Sequence, residues 1–114
     1  MITVYGIKNC DSVKKARKWL QTNGIDYQFH DFRDQGIETE VLHKWIDQIG
    51  VEAVLNKRST SWRKLDSDQQ KTVDTGHLVT LLKSNPTLIK RPVLDVDGII
   101  NTGFSPESYQ TIFN

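Results

Sequence analysis

The chain opens on Ile2-Thr3-Val4-Tyr5, β-branched and aromatic residues that read as a strand, then passes through a short turn into the helical spacing of Lys14 to Leu20. A second strand-like run, Ile25 to Phe32, follows the Asn23-Gly24 helix stop. Strand, helix, strand is the strongest constraint in the sequence, because a crossover helix joins parallel strands with right-handed connectivity and commits the chain to an α/β arrangement. The turn after the first strand, Gly6-Ile7-Lys8-Asn9-Cys10, therefore falls at the C-terminal edge of a sheet, where α/β proteins place their sites. It holds the only cysteine.

A lone cysteine is commonly an inert, buried small hydrophobe. Its neighbours here argue otherwise. Gly6 and Asn9 are turn formers, Lys8 adds a cation, and Asp11 or Ser12 is expected to cap the helix, so the setting is polar and partly exposed. Unpaired N–H groups and the positive end of the helix dipole favour an anion there, and the thiolate is the nucleophilic form of cysteine.

Further along, Ala16, Trp19 and Leu20 form the expected apolar face of the first helix, with Lys14, Lys15, Arg17 and Lys18 around the rest. Arg33 to Gly36 reads as a turn, and Val41, Leu42, Trp45, Ile46 and Ile49 mark a helix that stops at Gly50. Val51 to Leu55 is one more helical turn, Asn56 to Ser61 a polar loop, and Asp74 to Lys83 a helix with Leu78, Leu81 and Leu82 inward. Asn85-Pro86 breaks that helix, and Leu88 to Leu94 returns to extended structure, with Pro92 at a strand start or edge and a cis Arg91-Pro92 bond one option. Asp97-Gly98 between Val93–Val96 and Ile99–Asn101 is a two-residue hairpin signal. Ser105-Pro106 opens a final helix that turns Tyr109, Ile112 and Phe113 to the core. The expected fold is α/β, a thioredoxin-like (glutaredoxin-type) mixed four-stranded sheet, with residues 1–34 and 86–114 as its core and 35–85 as a helical insertion in one domain of 114 residues.

A net charge of +1 with interspersed signs gives no footprint for direct nucleic-acid binding. No run approaches the roughly 20 apolar residues that cross a bilayer, and no export segment is expected. One cysteine makes no internal disulfide, which suits a reducing, cytoplasmic setting. His30, His43 and His77 lack metal spacing, so no metal is expected. A monomer is expected.

The segments Tyr5-Gly6-Ile7-Lys8-Asn9-Cys10, Phe29-His30-Asp31-Phe32-Arg33, Trp62-Arg63-Lys64-Leu65, Ile89-Lys90-Arg91-Pro92 and Gly103-Phe104-Ser105 occur in the order of a known family. Along its whole length the chain resembles the arsenate-reductase-like (ArsC/Spx/MgsR) proteins, nearest their YffB subgroup. The resemblance implies that Cys10 is the reactive thiol, that Arg91 beside it binds an anionic substrate or glutathione, and that Lys8, Asn9 and Pro92 complete the substrate site. It implies a glutathione-dependent thiol–disulfide reductase, with no bound cofactor and glutathione as co-substrate. The alternative is an Spx-like regulatory adaptor that binds RNA polymerase. Spx regulators typically carry a second cysteine where this chain has Val13, so the resolving thiol must come from another molecule. Arsenate reductases carry further arginines where Asn56 and the Gly103-Phe104 region stand here, which makes arsenate reduction the weakest expectation.

Overall fold

The computed structural model describes residues 1–66 and 75–113. Its elements in order are β1 (Ile2–Gly6), α1 (Asp11–Thr22), β2 (Gln28–Asp31), α2 (Phe32–Gln35), α3 (Thr39–Ile49), α4 (Val51–Val54), α5 (Thr60–Arg63), α6 (Thr75–Ser84), a 3-10 turn (Pro86–Leu88), β3 (Val93–Val96), β4 (Ile99–Thr102) and α7 (Pro106–Ile112). Two compact units emerge, Met1–Gln35 with Arg91–Asn114, and Gly36–Lys90.

In the first unit the strands lie in the order β2-β1-β3-β4, with β1 parallel to β2 and antiparallel to β3, and β3 antiparallel to β4. This is the mixed four-stranded sheet of a thioredoxin-like fold. Side chains alternate across a strand, so Val4 and Leu94, paired across β1 and β3, share one face and meet α1 and α7 through Ala16, Leu20 and Tyr109, all fully buried. The buried stripe of α1 is Val13, Ala16 and Leu20. Trp19, expected in that stripe, is only partly covered, its ring edge-on to Tyr109 at 5.5 Å and stacked on Phe113 at 5.9 Å.

The second strand is shorter than its composition suggests. Ile25 N–H donates to the Leu20 carbonyl at 2.9 Å, so the chain is still closing the end of α1, and the ladder with β1 begins only at Gln28. The hairpin matches its sequence signal. Asp97 and Gly98 take φ of 51° and 93°, the two positive values a type I′ turn requires, and Asp95 Oδ1 accepts from Gly98 N–H at 2.7 Å. Ser105 caps α7 by accepting from Ser108 N–H at 3.0 Å, while Ser108 Oγ accepts from Ser105 N–H at 3.2 Å.

In the second unit α3 buries Leu42, Trp45 and Ile46 and ends at Gly50, whose φ of 87° suits glycine. Helix α5 begins inside the stretch expected to be loop, because Ser59 Oγ accepts from Trp62 N–H at 3.1 Å and caps it. Asp74, expected to open the next helix, lies outside the described residues. Among the described side chains of α6 the buried ones are Leu78, Val79 and Leu82, and Leu81 is partly exposed, so the inward stripe is rotated from the expected one. The extended run expected over Leu88 to Leu94 is broken up. Leu88 closes the 3-10 turn, Ile89 forms an isolated bridge with Leu55, and strand geometry resumes at Val93. Asn56 N–H to Leu88 O at 2.7 Å and Lys90 N–H to Val54 O at 2.8 Å hold this segment to the second unit, so the seam falls after Lys90.

Candidate active site

Strand β1 ends at Gly6, where it passes close to α1. A Cβ there would lie 2.6 Å from Val13 Cγ2, so the glycine lets β1 run hard against the first turn of α1. Val13 is fully buried, and the position where a second cysteine would complete a pair is thus a core position. From Gly6 the chain turns at once. Cys10 N–H donates to the Ile7 carbonyl at 3.1 Å, and the Cys10 carbonyl accepts from Lys14 N–H at 3.0 Å, the first bond of α1.

Cys10 is therefore the N-cap residue, extended at φ −91° and ψ 126°. Asp11 and Ser12, expected to cap, are instead the first helical residues, and the Cys10 side chain makes no capping hydrogen bond to the opening N–H groups of α1. The partly exposed free thiol occupies the place where a capping oxygen normally sits. A thiolate at that place faces the positive end of the helix dipole.

Lys8 and Asn9 are the exposed tip of the turn. The Lys8 ammonium bonds Asp34 Oδ2 at 2.6 Å, and that hydrogen bond and charge push its pKa up. Lys8 thus meets α2 through its side chain in this structure. Arg91 and Pro92 immediately precede β3, and the Tyr5–Val93 pairing brings them to the end of the sheet where β1 leaves for the Cys10 turn. The Arg91-Pro92 bond is cis, Pro92 is buried, and its carbonyl accepts from Gly103 N–H at 2.9 Å. Arg91 is partly exposed, and among the described residues its guanidinium has no ion-pair partner, so its charge is not consumed by a surface salt bridge. Asn56 and the loop that follows it belong to the second unit.

Asp31 belongs to the Phe29-to-Arg33 segment of the family resemblance but is not among the site residues expected from the sequence. It ends β2 opposite Gly6 and is 4% exposed. Burial opposes its charge, but N–H groups of Arg33 at 2.7 Å, Lys8 at 3.1 Å and Asp34 at 3.3 Å more than offset this and hold the carboxyl below the usual carboxylate range. The one sequence signal was an acid closing an aromatic strand, at a spot that otherwise reads as a turn residue. His30 stacks obliquely on Tyr5 at 5.0 Å, and among the described residues no group of His, Cys, Asp or Glu has the geometry to hold a metal ion.

Residues 5–112, a span that includes the Cys10 turn and the Arg91-Pro92 segment, match the ArsC family. The chain belongs to the ArsC family. Among solved structures, a YffB protein superposes on this ArsC-family chain with a TM-score of 0.92 at 40% identity, over 97% of each chain. An arsenate reductase (ArsC) related protein from Brucella melitensis gives 0.78 at 42% identity, covering 99% of this chain and 94% of the other. The global transcriptional regulator Spx of Streptococcus pyogenes is 27% identical over 116 aligned positions, covering all of this chain and 86% of the regulator. The ArsC-family chain is thus similar both to arsenate-reductase-related proteins and to Spx. Among the described residues no helix is long and apolar enough to cross a membrane.

Proposed function

We propose that this protein is a glutathione-dependent thiol–disulfide reductase of the cytoplasm, working as a monomer, with Cys10 as nucleophile and Arg91 as the anion-binding partner. The observation that carries the reading is Cys10 at the N-cap of α1 with its side chain uncommitted and no second cysteine in the chain. The Cys10 thiolate attacks the glutathione sulfur of a mixed disulfide R–S–S–G. The S–S bond breaks, R–S⁻ leaves and takes a proton, and Cys10 becomes glutathionylated. A second glutathione thiolate then attacks the glutathione sulfur on Cys10, forming oxidised glutathione and returning the Cys10 thiolate. Two glutathionyl groups are joined and one R–SH is released, so atoms and electrons balance.

Arg91 offers a planar, permanently charged fork to a glutathione carboxylate. Lys8, Asn9 and Pro92 frame the sulfur on the substrate side. The Lys8–Asp34 pair is more than half exposed on both sides, and such a pair holds weakly enough in water to exchange for a substrate carboxylate. Cys10→Ser is expected to abolish turnover of a glutathionylated peptide by glutathione. Undiminished turnover would sink the proposal. Arg91→Ala is expected to raise KM for that peptide about tenfold or more, the loss of one charged hydrogen-bonding group.

The similarity to Spx over the whole chain favours a second reading, a regulatory adaptor that binds RNA polymerase. Polymerase captured equally by wild type and Cys10→Ser, in a chain without glutathione-linked turnover, would favour it. The arginine-poor positions at Asn56 and Gly103-Phe104 keep arsenate reduction third.

A further inference from the structure

We infer that Asp31 is the positioning residue that fixes where the Cys10 sulfur stands, acting through the backbone of Lys8. The inference takes from the reductase reading only that Cys10 is the reacting group. Among the described residues Asp31 is the one buried charged side chain, and a carboxylate is kept out of water only where hydrogen bonds hold it. Its two oxygens have separate tasks. Oδ1 accepts from Arg33 and Asp34 N–H and caps α2, while Oδ2 turns the other way and accepts from Lys8 N–H. A cap needs only the first oxygen, so the second is free to tie the Cys10 turn to the end of β2.

The tie acts at a short lever. Gly6 pairs with Asp31 in the ladder and is wedged against Val13, Ile7 is buried and its carbonyl accepts from Cys10 N–H, and Lys8 N–H is held by Oδ2, so the two held N–H groups are separated only by Asn9 and the Ile7 carbonyl that receives Cys10 is anchored one residue before the Asp31 tie. Thiol–disulfide exchange requires the attacked and leaving sulfurs to line up with the nucleophile, and a group displaced by about 1 Å can lose about 100-fold in rate. Helix α1 holds Cys10 only through its carbonyl, which accepts from Lys14 N–H, so the other side of the residue is set by the turn that Asp31 ties down.

Asp31→Asn separates the two tasks, because the amide keeps an oxygen for α2 and presents a donor where Lys8 N–H needs an acceptor. Asp31→Ser, which also retains a capping oxygen but is too short to reach Lys8, is the second variant should the first not fold. In either, hydrogen exchange at Lys8 is expected to quicken about tenfold or more, the cost of losing one hydrogen bond to a charged group, with Arg33 protection retained. Turnover of a glutathionylated peptide by glutathione is expected to lose about tenfold or more in kcat with KM for the peptide little changed, because substrate still binds while the sulfur no longer lines up with the disulfide. A loss of stability alone would lower the folded fraction and leave kcat per folded molecule unchanged, so the kcat-against-KM split distinguishes positioning from plain structure. An unchanged kcat per folded molecule while Lys8 exchange quickens overturns the inference, as does unchanged Lys8 exchange. A wild type without glutathione turnover overturns the reductase reading; the role of Asp31 is then read from the rate of Cys10 alkylation at one fixed pH, where a changed rate in both variants supports it and an unchanged rate overturns it.

Discussion

At the scale of single residues, the most consequential contact is between two that carry no chemistry. Gly6 and Val13 meet so closely that Gly6→Ala must push Val13 or β1 aside, at a cost of about 1–3 kcal/mol for overpacking. Val13→Ala in the same chain is expected to recover part of that loss, and thermal melting of the two single variants and the double variant measures the coupling. Tyr109 presents the opposite case. Its ring is edge-on to Phe104 at 4.7 Å, yet its hydroxyl is buried without a hydrogen-bond partner among the described residues. Burying an unpaired hydroxyl costs about 1–3 kcal/mol, so Tyr109→Phe is expected to melt no lower than the wild type and to keep the aromatic packing. A fall of several degrees would show that the hydroxyl contributes to the fold.

At the scale of elements, sequence and structure agree where a local rule decides. Asp97-Gly98 fixes a hairpin by backbone sterics alone, and Ser105-Pro106 opens α7 by capping alone. Ser105→Ala is expected to cost about 1 kcal/mol, the usual cost of losing an N-cap oxygen, read as a lower melting temperature. Agreement fails where a longer-range contact outweighs local composition. Ile25 to Tyr27 have strand-like composition, but the Ile25 N–H is taken by the end of α1. Val79 displaces Leu81 from the inward stripe of α6, a rotation that leucine spacing does not reveal. In the candidate site, the strand boundaries at Cys10 and at Arg91-Pro92 were legible because each is marked by turn residues or proline, whereas the roles proposed for these residues rest on the family resemblance. The cap of α1 was misread, since Asp11 and Ser12 are good capping types and Cys10 is not, and only the backbone places Cys10 first. Asp31 was illegible because its partners are N–H groups, which every residue but proline has.

At the scale of the whole molecule, titration sets the range over which the protein is stable. The Asp31 carboxyl titrates lower in the fold than in the unfolded chain, so its contribution is present above the unfolded value near 3.9 and is lost as pH falls through the folded one. Burial raises the phenols of Tyr5 and Tyr109, the former also through the charge of Asp95. Their contribution is full below about 10 and is lost as pH rises toward the folded values. Melting temperature is therefore expected to be flat from about pH 5 to 9 and to fall on both sides, with Asp31→Asn flattening the acid limb and Tyr109→Phe the alkaline one. The buried Val13 has a different kind of consequence. A protein with two thiols that close on each other is oxidised in proportion to oxidised glutathione divided by the square of reduced glutathione, so it responds to how much of the tripeptide is present. With a single exchanging sulfur at Cys10, the proposed chemistry gives one tripeptide in and one out. Mass action then makes the modified fraction follow the simple ratio of the two forms, indifferent to dilution.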